Sequence, residues 1–577
     1  MESTIFIKDR DYKSWIWENE TPPPILNNEA IYPFKYKLLN GDTIRTSKNE
    51  NTVEIINSPI RQSLFIAGVL MLQGNKTYGK TPNKKRFYYR VIPQQVNLPS
   101  FFVPCEVDLK FHKHVKNKYV LFRFDYWNEK DAFPYGILTE TLGDVDRLEP
   151  FFVFQLYSKS LNGSIKEMTK CANEMTKTKS IHEYFEEIRS TPSKYNIKDN
   201  CSISDILTID PVGGVDRDDA LSVLETTDGY MVSVYLTNVY IWLEMLNLWK
   251  SFTSRIATIY LPDRRRPMLP NIFSDHLCSL NENQERYVMQ IDFLVNSTES
   301  CFVFSETPPI IQSSVIKVAN NYVYDDPKLW TNKTFQRLVE ITNQLGNVIS
   351  SHEIVSFWMI QANKACAAYL SQRKIGIYRM VKTKMNATEI DIPACAIREQ
   401  SVQNWVSSSG QYTLMDPDDP QGSGTLHPFL KTNFYVQVTS PIRRLVDLVN
   451  QMILFQEMGC MIISEDAKEF ITKWCMKLDY LNATMRSIRK IQVDCELLHK
   501  FTKHGELLEQ AYNGIVFDRF ERQTGIYSYM VYLEKLKLLC RTNSLHFLEN
   551  NTLHLFRVYL FENEECTKKK IRVARIE

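Results

Sequence analysis

At 577 residues the chain is too long for one small core, and a norm of ~150 residues per domain predicts about three or four units. Its composition, 44% apolar, 12% aromatic and 24% charged, excludes the disordered, collagen-like and low-complexity classes. A formal net charge of +2 excludes a polycation that coats nucleic acid by bulk electrostatics, so any site for a polyanion has to be local. Twelve cysteines, scattered without CxxC pairs, predict reduced thiols in an intracellular compartment, cytoplasmic or nuclear, and argue against zinc. The start MESTIFIKDRDYKSWIWENE lacks an apolar signal core, and the longest apolar run, Leu64 to Leu72, is far shorter than the roughly 20 residues that span a bilayer. No signal peptide, transmembrane segment or membrane partner is therefore expected.

From about residue 30 to 165, short β-branched and aromatic runs such as SLFIAGVLML, RFYYRVI and YVLFRFDYW are broken by turn residues, which predicts one or two small β-barrels. The polar stretch near 166–198 and another near 492–505 predict boundaries. Between them HEIVSFWMIQANKACAAYLSQR and RRLVDLVNQMILFQEMG carry helical periodicity, and the segments after about 506 return to short strands.

TIDPVGGVDRDDALSV, Thr208 to Val223, places Asp210, Asp216, Asp218 and Asp219 within ten residues, and between Asp210 and Asp219 only Arg217 offsets them. A turn explains one or two of these, because Asp bonds its own backbone and Gly supplies positive φ. Four exceed that explanation, since like charges a few ångströms apart are unfavourable unless a cation or a proton relieves them. A calcium loop of the EF-hand type fails, because counting from Asp216 puts Ala220 at a ligand position and Leu221 at that of the invariant Gly. DILTID reads as a buried strand ending at Asp210, and the VGG turn can bring the other carboxylates back beside it. Converging hard oxygens suit Mg²⁺ or Mn²⁺, and two such ions roughly 3.5–4 Å apart are the usual machinery for displacement at phosphorus.

Further along, Arg264 to Arg266 lie between proline-containing turns and read as a solvated loop, although a loop of Tyr and Arg can also escort single-stranded bases. In YVQVTSPIRRLVDL, Thr439 or Ser440 is the expected cap of a helix with Pro441, Arg443 and Arg444 in its first turn. Cations there oppose the helix dipole and point to a bound anion; a salt bridge to Asp447 is an equal alternative for either arginine. The basic runs at 84–86, 110–118 and 568–575 read as solvated faces.

DPVGGVDRDDAL, YLPDRRRPMLPNIFSDHLCSLN, MIQANKACAAYL followed by GIYR, and TSPIRRLVDL together resemble, in order, successive motifs of the ribonuclease II / ribonuclease R family, across about 205–460. The resemblance implies a multidomain α+β fold: a central mixed α/β catalytic domain at 166–505, OB or cold-shock-like barrels at 1–80 and 81–165, and an OB-like RNA-binding barrel at 506–577. It implies 3′-to-5′ hydrolysis of single-stranded RNA to nucleoside 5′-monophosphates by a monomer using two Mg²⁺ or Mn²⁺ ions, with a helicase or RNA-decay complex as a further partner. By position, Asp210, Asp216, Asp218 and Asp219 match the metal-binding aspartates, and Asp218 the one most directly tied to catalysis. Arg443 matches the arginine on the scissile phosphate, and Tyr260, Tyr324, Arg379, Tyr435 and Arg444 match RNA-contacting positions; Asn363 reads as internal hydrogen bonding.

Several positions depart from the family pattern. YLTN, Tyr235 to Asn238, stands where the family has HIAD; Ser356 and Phe357 replace carboxylates; Gln437 replaces a histidine; Gln451 and Met452 replace His and Arg. These departures support a second reading, an RNA-binding scaffold that has kept the fold and lost the chemistry.

Overall fold

The computed structural model describes the chain apart from residues 1, 19–24, 27–28, 48–51, 107–114, 228, 298–300, 349, 382–391, 394, 397–401, 403–409, 416–426, 428–429, 523–524 and 577. The basic run at 110–118 therefore falls largely outside the described residues. Among the described residues no helix is long and apolar enough to cross a membrane.

The first strands, Glu2–Ile7, Trp15–Trp17, Thr43–Ser47 and Thr52–Asn57, make one four-stranded sheet. Its Ile5, Ile7 and Ile44, with Leu38 from the segment before the third strand, cluster with Trp127 of the next unit. That unit is a closed five-stranded barrel built from Ile66–Leu70, Phe87–Pro93, Phe101–Cys105, Lys118–Tyr126 and Tyr135–Asp144. Every residue of Ile66–Leu70 is buried, which accounts for the long apolar run. The barrel thus begins upstream of the expected boundary at 81, and the segment before it is an open sheet among the described residues, not a second barrel. Helix α1 (Leu148–Ser158) leads out of the barrel and buries Phe151, Phe152 and Phe154.

The central domain is organised on a mixed sheet with strands β1 (Leu207–Asp210), β2 (Asp219–Thr226), β3 (Gly229–Thr237), β4 (Glu285–Ser297), β5 (Ile310–Lys317) and β6 (Asn320–Val323). Across the sheet they run β5-β4-β3-β2-β1-β6, with β6 parallel to β1 and β2 antiparallel to it. β3 and β4 are buried almost throughout and belong to the largest core cluster. This core also takes in α2 (Ser351–Ser371), started by a Ser350/Glu353 capping box, α3 (Leu445–Glu457), and the inner face of α4 (Leu478–Lys503). Such a layered arrangement buries the strands on both faces and leaves their ends to carry a site.

After α4 the chain forms a five-stranded antiparallel sheet, ordered Leu538–Ser544, Tyr527–Leu533, Ala511–Glu521, Thr552–Glu562, Lys569–Arg575. It curls towards closure, because Thr542 on one edge strand donates to the Val573 carbonyl on the other at 2.8 Å. The turn before its last strand docks back on the N-terminal units: Arg10 pairs with Glu565 at 2.6 Å, and the Tyr119 hydroxyl donates to the Cys566 carbonyl at 3.1 Å. The fold is therefore multidomain α+β, with small β units flanking a mixed central domain.

Candidate active site

β1 ends at Asp210 and β2 begins at Asp219, so the strand pair delivers these two residues to the same edge. The connection turns at Gly213, whose φ of +78° favours glycine, and the Gly214 N–H donates to the Pro211 carbonyl at 2.9 Å. Burial, aided by the Asp216 charge, pushes Asp210 up to about 6, and burial, aided by the Asp210 charge, pushes Asp219 up to about 7. One Asp210 oxygen, Oδ2, is buried without a hydrogen-bond partner and lies 3.6 Å from Arg217 Nε.

Asp218 is only 2% exposed. Its Oδ1 accepts the Ile442 N–H at 2.9 Å and its Oδ2 accepts Arg443 Nε–H at 3.0 Å. Burial still pushes this carboxyl up to about 8 against the pull of both donors. Asp216 is held differently: the Tyr260 hydroxyl donates to Oδ2 at 2.6 Å, and Arg265 Nη1 lies 3.0 Å from Oδ1. Arg265 is itself anchored to Asp275 at 2.6 Å.

The TSPIRR segment differs from expectation. The helix starts at Leu445, not at Ser440 or Pro441, and Arg444 occupies its cap position. Asp447 in the first turn accepts the Ser440 N–H at 2.7 Å and an Arg444 N–H at 2.8 Å, holding the preceding residues as a loop. That loop is sewn to a neighbouring segment, with Thr258 N–H donating to the Arg443 carbonyl (3.0 Å) and Leu445 N–H to the Ile256 carbonyl (2.9 Å). The two arginines are thereby divided: Arg444 takes the carboxylate of its own helix, and Arg443, with its side chain 43% exposed, is left for Asp218.

The solvated-loop reading of Arg264 to Arg266 holds for Arg264 alone, whose side chain is 72% exposed. Ile259–Tyr260 and Arg265–Arg266 pair as a small hairpin, and this turns Arg265 to Asp216 while Arg266 forks onto both oxygens of Asp263 at 2.6 Å. Arg265 is thus a site residue that sequence reasoning passed over; the signal available was the matching acids Asp263 and Asp275 in the same stretch.

Of the aromatic positions, Tyr260 is partly exposed and reaches Asp216 through its hydroxyl, and Tyr324 sits beside the aspartates, its N–H donating to the Asp210 carbonyl at 3.0 Å and its ring set edge-on to His352. Arg379, Tyr435 and Arg444 lie instead in an internal network. Arg379 N–H donates to the Tyr435 carbonyl (2.8 Å), and Asn363 Nδ2 donates to the Tyr435 hydroxyl (3.0 Å). The Gln437 amide, oriented to satisfy both its ends, donates to the Tyr412 hydroxyl and accepts from Arg379 and Arg444, each at 2.8 Å. Gln437 therefore has a structural task of its own. So do Asn238, whose side chain caps a helix by accepting the Ile241 N–H, Tyr235, bonded to Ser222, and Gln451, which donates to the Val438 carbonyl. Phe357 lies edge-on to Trp358, an apolar contact that a carboxylate there would not make.

Among the described residues no group of three or more His, Cys, Asp or Glu side chains stands arranged to hold a metal ion, and Asp216 and Asp218 face arginines as they stand. The donor set itself fits a divalent cation. It consists of hard carboxylate oxygens, it includes the buried Asp210 oxygen that accepts no hydrogen bond, and burial with carboxylate neighbours holds Asp210 and Asp219 above the usual range despite the nearby arginines.

Comparison with known proteins bears on this geometry. The RNB domain family model matches residues 199–349 and 331–458, and the Dis3-like cold-shock domain 2 model matches 88–151. Ribonuclease R of Chlamydia trachomatis is 22% identical over 343 residues, 48% of this chain and 48% of that protein, so the match spans less than half of the curated relative. Among solved structures, Mycoplasma genitalium RNase R in complex with ribose methylated single-stranded RNA is similar in fold, with a TM-score of 0.66 at 14% identity over 100% of this chain and 97% of that one. Yeast Ssd1, a pseudonuclease, is similar in fold with a TM-score of 0.57 at 14% identity, over 86% of this chain and 67% of that one.

Proposed function

Because this chain belongs to the ribonuclease II / ribonuclease R family of RNB-domain proteins, we infer that it is a 3′-to-5′ exoribonuclease that hydrolyses single-stranded RNA to nucleoside 5′-monophosphates. The observation that carries this reading is the gathering of Asp210, Asp216, Asp218 and Asp219 with Arg443 where β1 and β2 meet, with the partly exposed Tyr260 bonded to Asp216. Asp210, Asp216, Asp218 and Asp219 would hold two Mg²⁺ or Mn²⁺ ions, which when bound supply an activated water and neutralise charge at phosphorus. To do so, Asp216 and Asp218 have to turn from Arg265 and Arg443.

Arg443 is a permanent cation at the mouth of the cluster. On leaving Asp218 it is placed to donate to a phosphate oxygen, and its contact strengthens as charge builds there in the transition state. Tyr260 offers a face for base stacking while its hydroxyl fixes Asp216, and Tyr324 closes the other side of the cluster. Arg379, Tyr435 and Arg444 act on RNA chiefly by holding the loop that presents Arg443, through Gln437 and Asp447. The same reading has a monomer working inside the cell, in cytoplasm or nucleus, with a helicase or RNA-decay complex delivering substrate.

A second reading, an RNA-binding scaffold without hydrolysis, is favoured by the arginines lodged on Asp216 and Asp218 and by the fold likeness to a pseudonuclease. Single-stranded RNA labelled at its 3′ end separates the two. With Mg²⁺ the label is expected to leave as nucleoside 5′-monophosphate from the first turnover; RNA bound tightly with no mononucleotide released would establish the scaffold.

A further inference from the structure

A cavity of about 770 Å³ lies away from the aspartates, where the first barrel, α1, α4 and the C-terminal sheet meet. Lys159 follows the last turn of α1, Arg486 and Lys490 stand one turn apart on α4, Lys568 immediately precedes the last strand and Lys570 lies at its start. None of these five makes an ion pair among the described residues. Against them the described lining has a single carboxylate, Asp494, one further turn along α4. Lys569, between the two strand lysines, is by contrast fixed to Glu562 at 3.2 Å and to the Val145 carbonyl. Partial burial and the neighbouring cations Arg572, Lys490 and Lys568 outweigh Asp494 and hold the Lys570 ammonium below its usual pKa, so an anion here would relieve a net repulsion.

We propose that this four-element junction binds a compact, multiply phosphorylated small anion, which ties the C-terminal sheet to the first barrel. The cavity has the size of a small-ligand site. Its cations converge from three elements onto one concave space, which a merely solvated basic face does not need. A strand of RNA is the less fitting occupant: Phe151, the one aromatic in the lining, is 2% exposed and offers no ring to a base, and none of the catalytic side chains reaches the cavity. This inference does not depend on the exonuclease reading.

Inorganic tripolyphosphate is the probe, titrated calorimetrically into the full chain at low salt with a chelator present to remove divalent ions. One-to-one binding is expected, with a raised Tm, an affinity that falls as salt rises, and at least a roughly tenfold loss of affinity in Lys490→Ala/Lys570→Ala. Without the anion this variant keeps or raises the wild-type Tm, since it sheds repulsion; Lys490→Gln, at an exposed helix position, serves if the double variant is unstable and is expected to weaken binding in the same sense. Arg443→Ala retains full tripolyphosphate affinity. Unchanged affinity in the lysine variants, loss in Arg443→Ala, or competitive displacement of tripolyphosphate by single-stranded RNA overturns the proposal, the last by assigning the cavity to the RNA path.

Discussion

Replacing Asp218 with Asn removes one charge and little else. The amide oxygen can keep the 2.9 Å bond from Ile442 N–H, while the amide nitrogen meets Arg443 Nε donor to donor. Arg443 is partly exposed and can turn to water, so the lost charge-assisted bond, worth about 1.5–3 kcal/mol, is offset in part by no longer burying a carboxylate whose pKa is already driven up to about 8. Stability should therefore change little. Catalysis should not be spared: a unit charge acting over ~4 Å at an effective dielectric of ~20 is worth about 4 kcal/mol, equivalent to about a 10³-fold fall in rate. Single-turnover release of 3′-labelled nucleotide measures the rate, and fluorescence anisotropy measures RNA affinity, which should hold or tighten as a charge repelling phosphate disappears. Cleavage within tenfold of wild type in a folded variant, or collapse of RNA binding, would refute the role given to Asp218.

Arg443→Ala should lower the rate by about 10²–10³-fold and RNA affinity by much less, because its contact tightens only as charge develops; equal losses in both measurements would reduce it to an RNA anchor. Arg265→Gln removes the cation facing Asp216 while Tyr260 still marks the site, and calorimetry should show Mn²⁺ binding about tenfold tighter; unchanged affinity would mean that Arg265 does not compete for this carboxylate. For pH, Asp210, Asp219 and Asp218 sit at about 6, 7 and 8, above the unfolded 3.8, so the metal-free folded state keeps protons that the unfolded chain has released. Their effect is a loss of stability as pH rises from about 4 towards 8, with Mg²⁺ restoring it at the alkaline end. Melting curves of wild type against Asp219→Asn should diverge in that direction, and a wild-type Tm that gains on the variant as pH rises without metal would contradict it.

Much of the site was legible because its key turn is local. The apolar run before Asp210, the glycine pair and the dense aspartates together specify buried strand, turn and strand, and the structure has β1 and β2 there. The partition of Arg443 and Arg444 was not legible, because it depends on Asp447 capping the loop and on backbone bonds to residues 256–258, far away in sequence. Arg265 was missed for the same reason: a run of three arginines looks solvated until a hairpin register points one of them at Asp216. The first barrel began early because a strand buried on both faces reads as one apolar run, without the alternation that marks a boundary. Gln437 looked like a loss relative to the family pattern, yet it ties together Tyr412, Arg379 and Arg444.

Crystals soaked in Mn²⁺ with an uncleavable single-stranded RNA test most directly whether four carboxylates and one arginine form a metal-dependent site. Anomalous scattering should place two ions roughly 3.5–4 Å apart among Asp210, Asp216, Asp218 and Asp219, with Arg443 released from Asp218 and turned onto the phosphate. Absence of Mn²⁺ from these carboxylates, with Arg265 and Arg443 still lodged on Asp216 and Asp218 beside bound RNA, would contradict it.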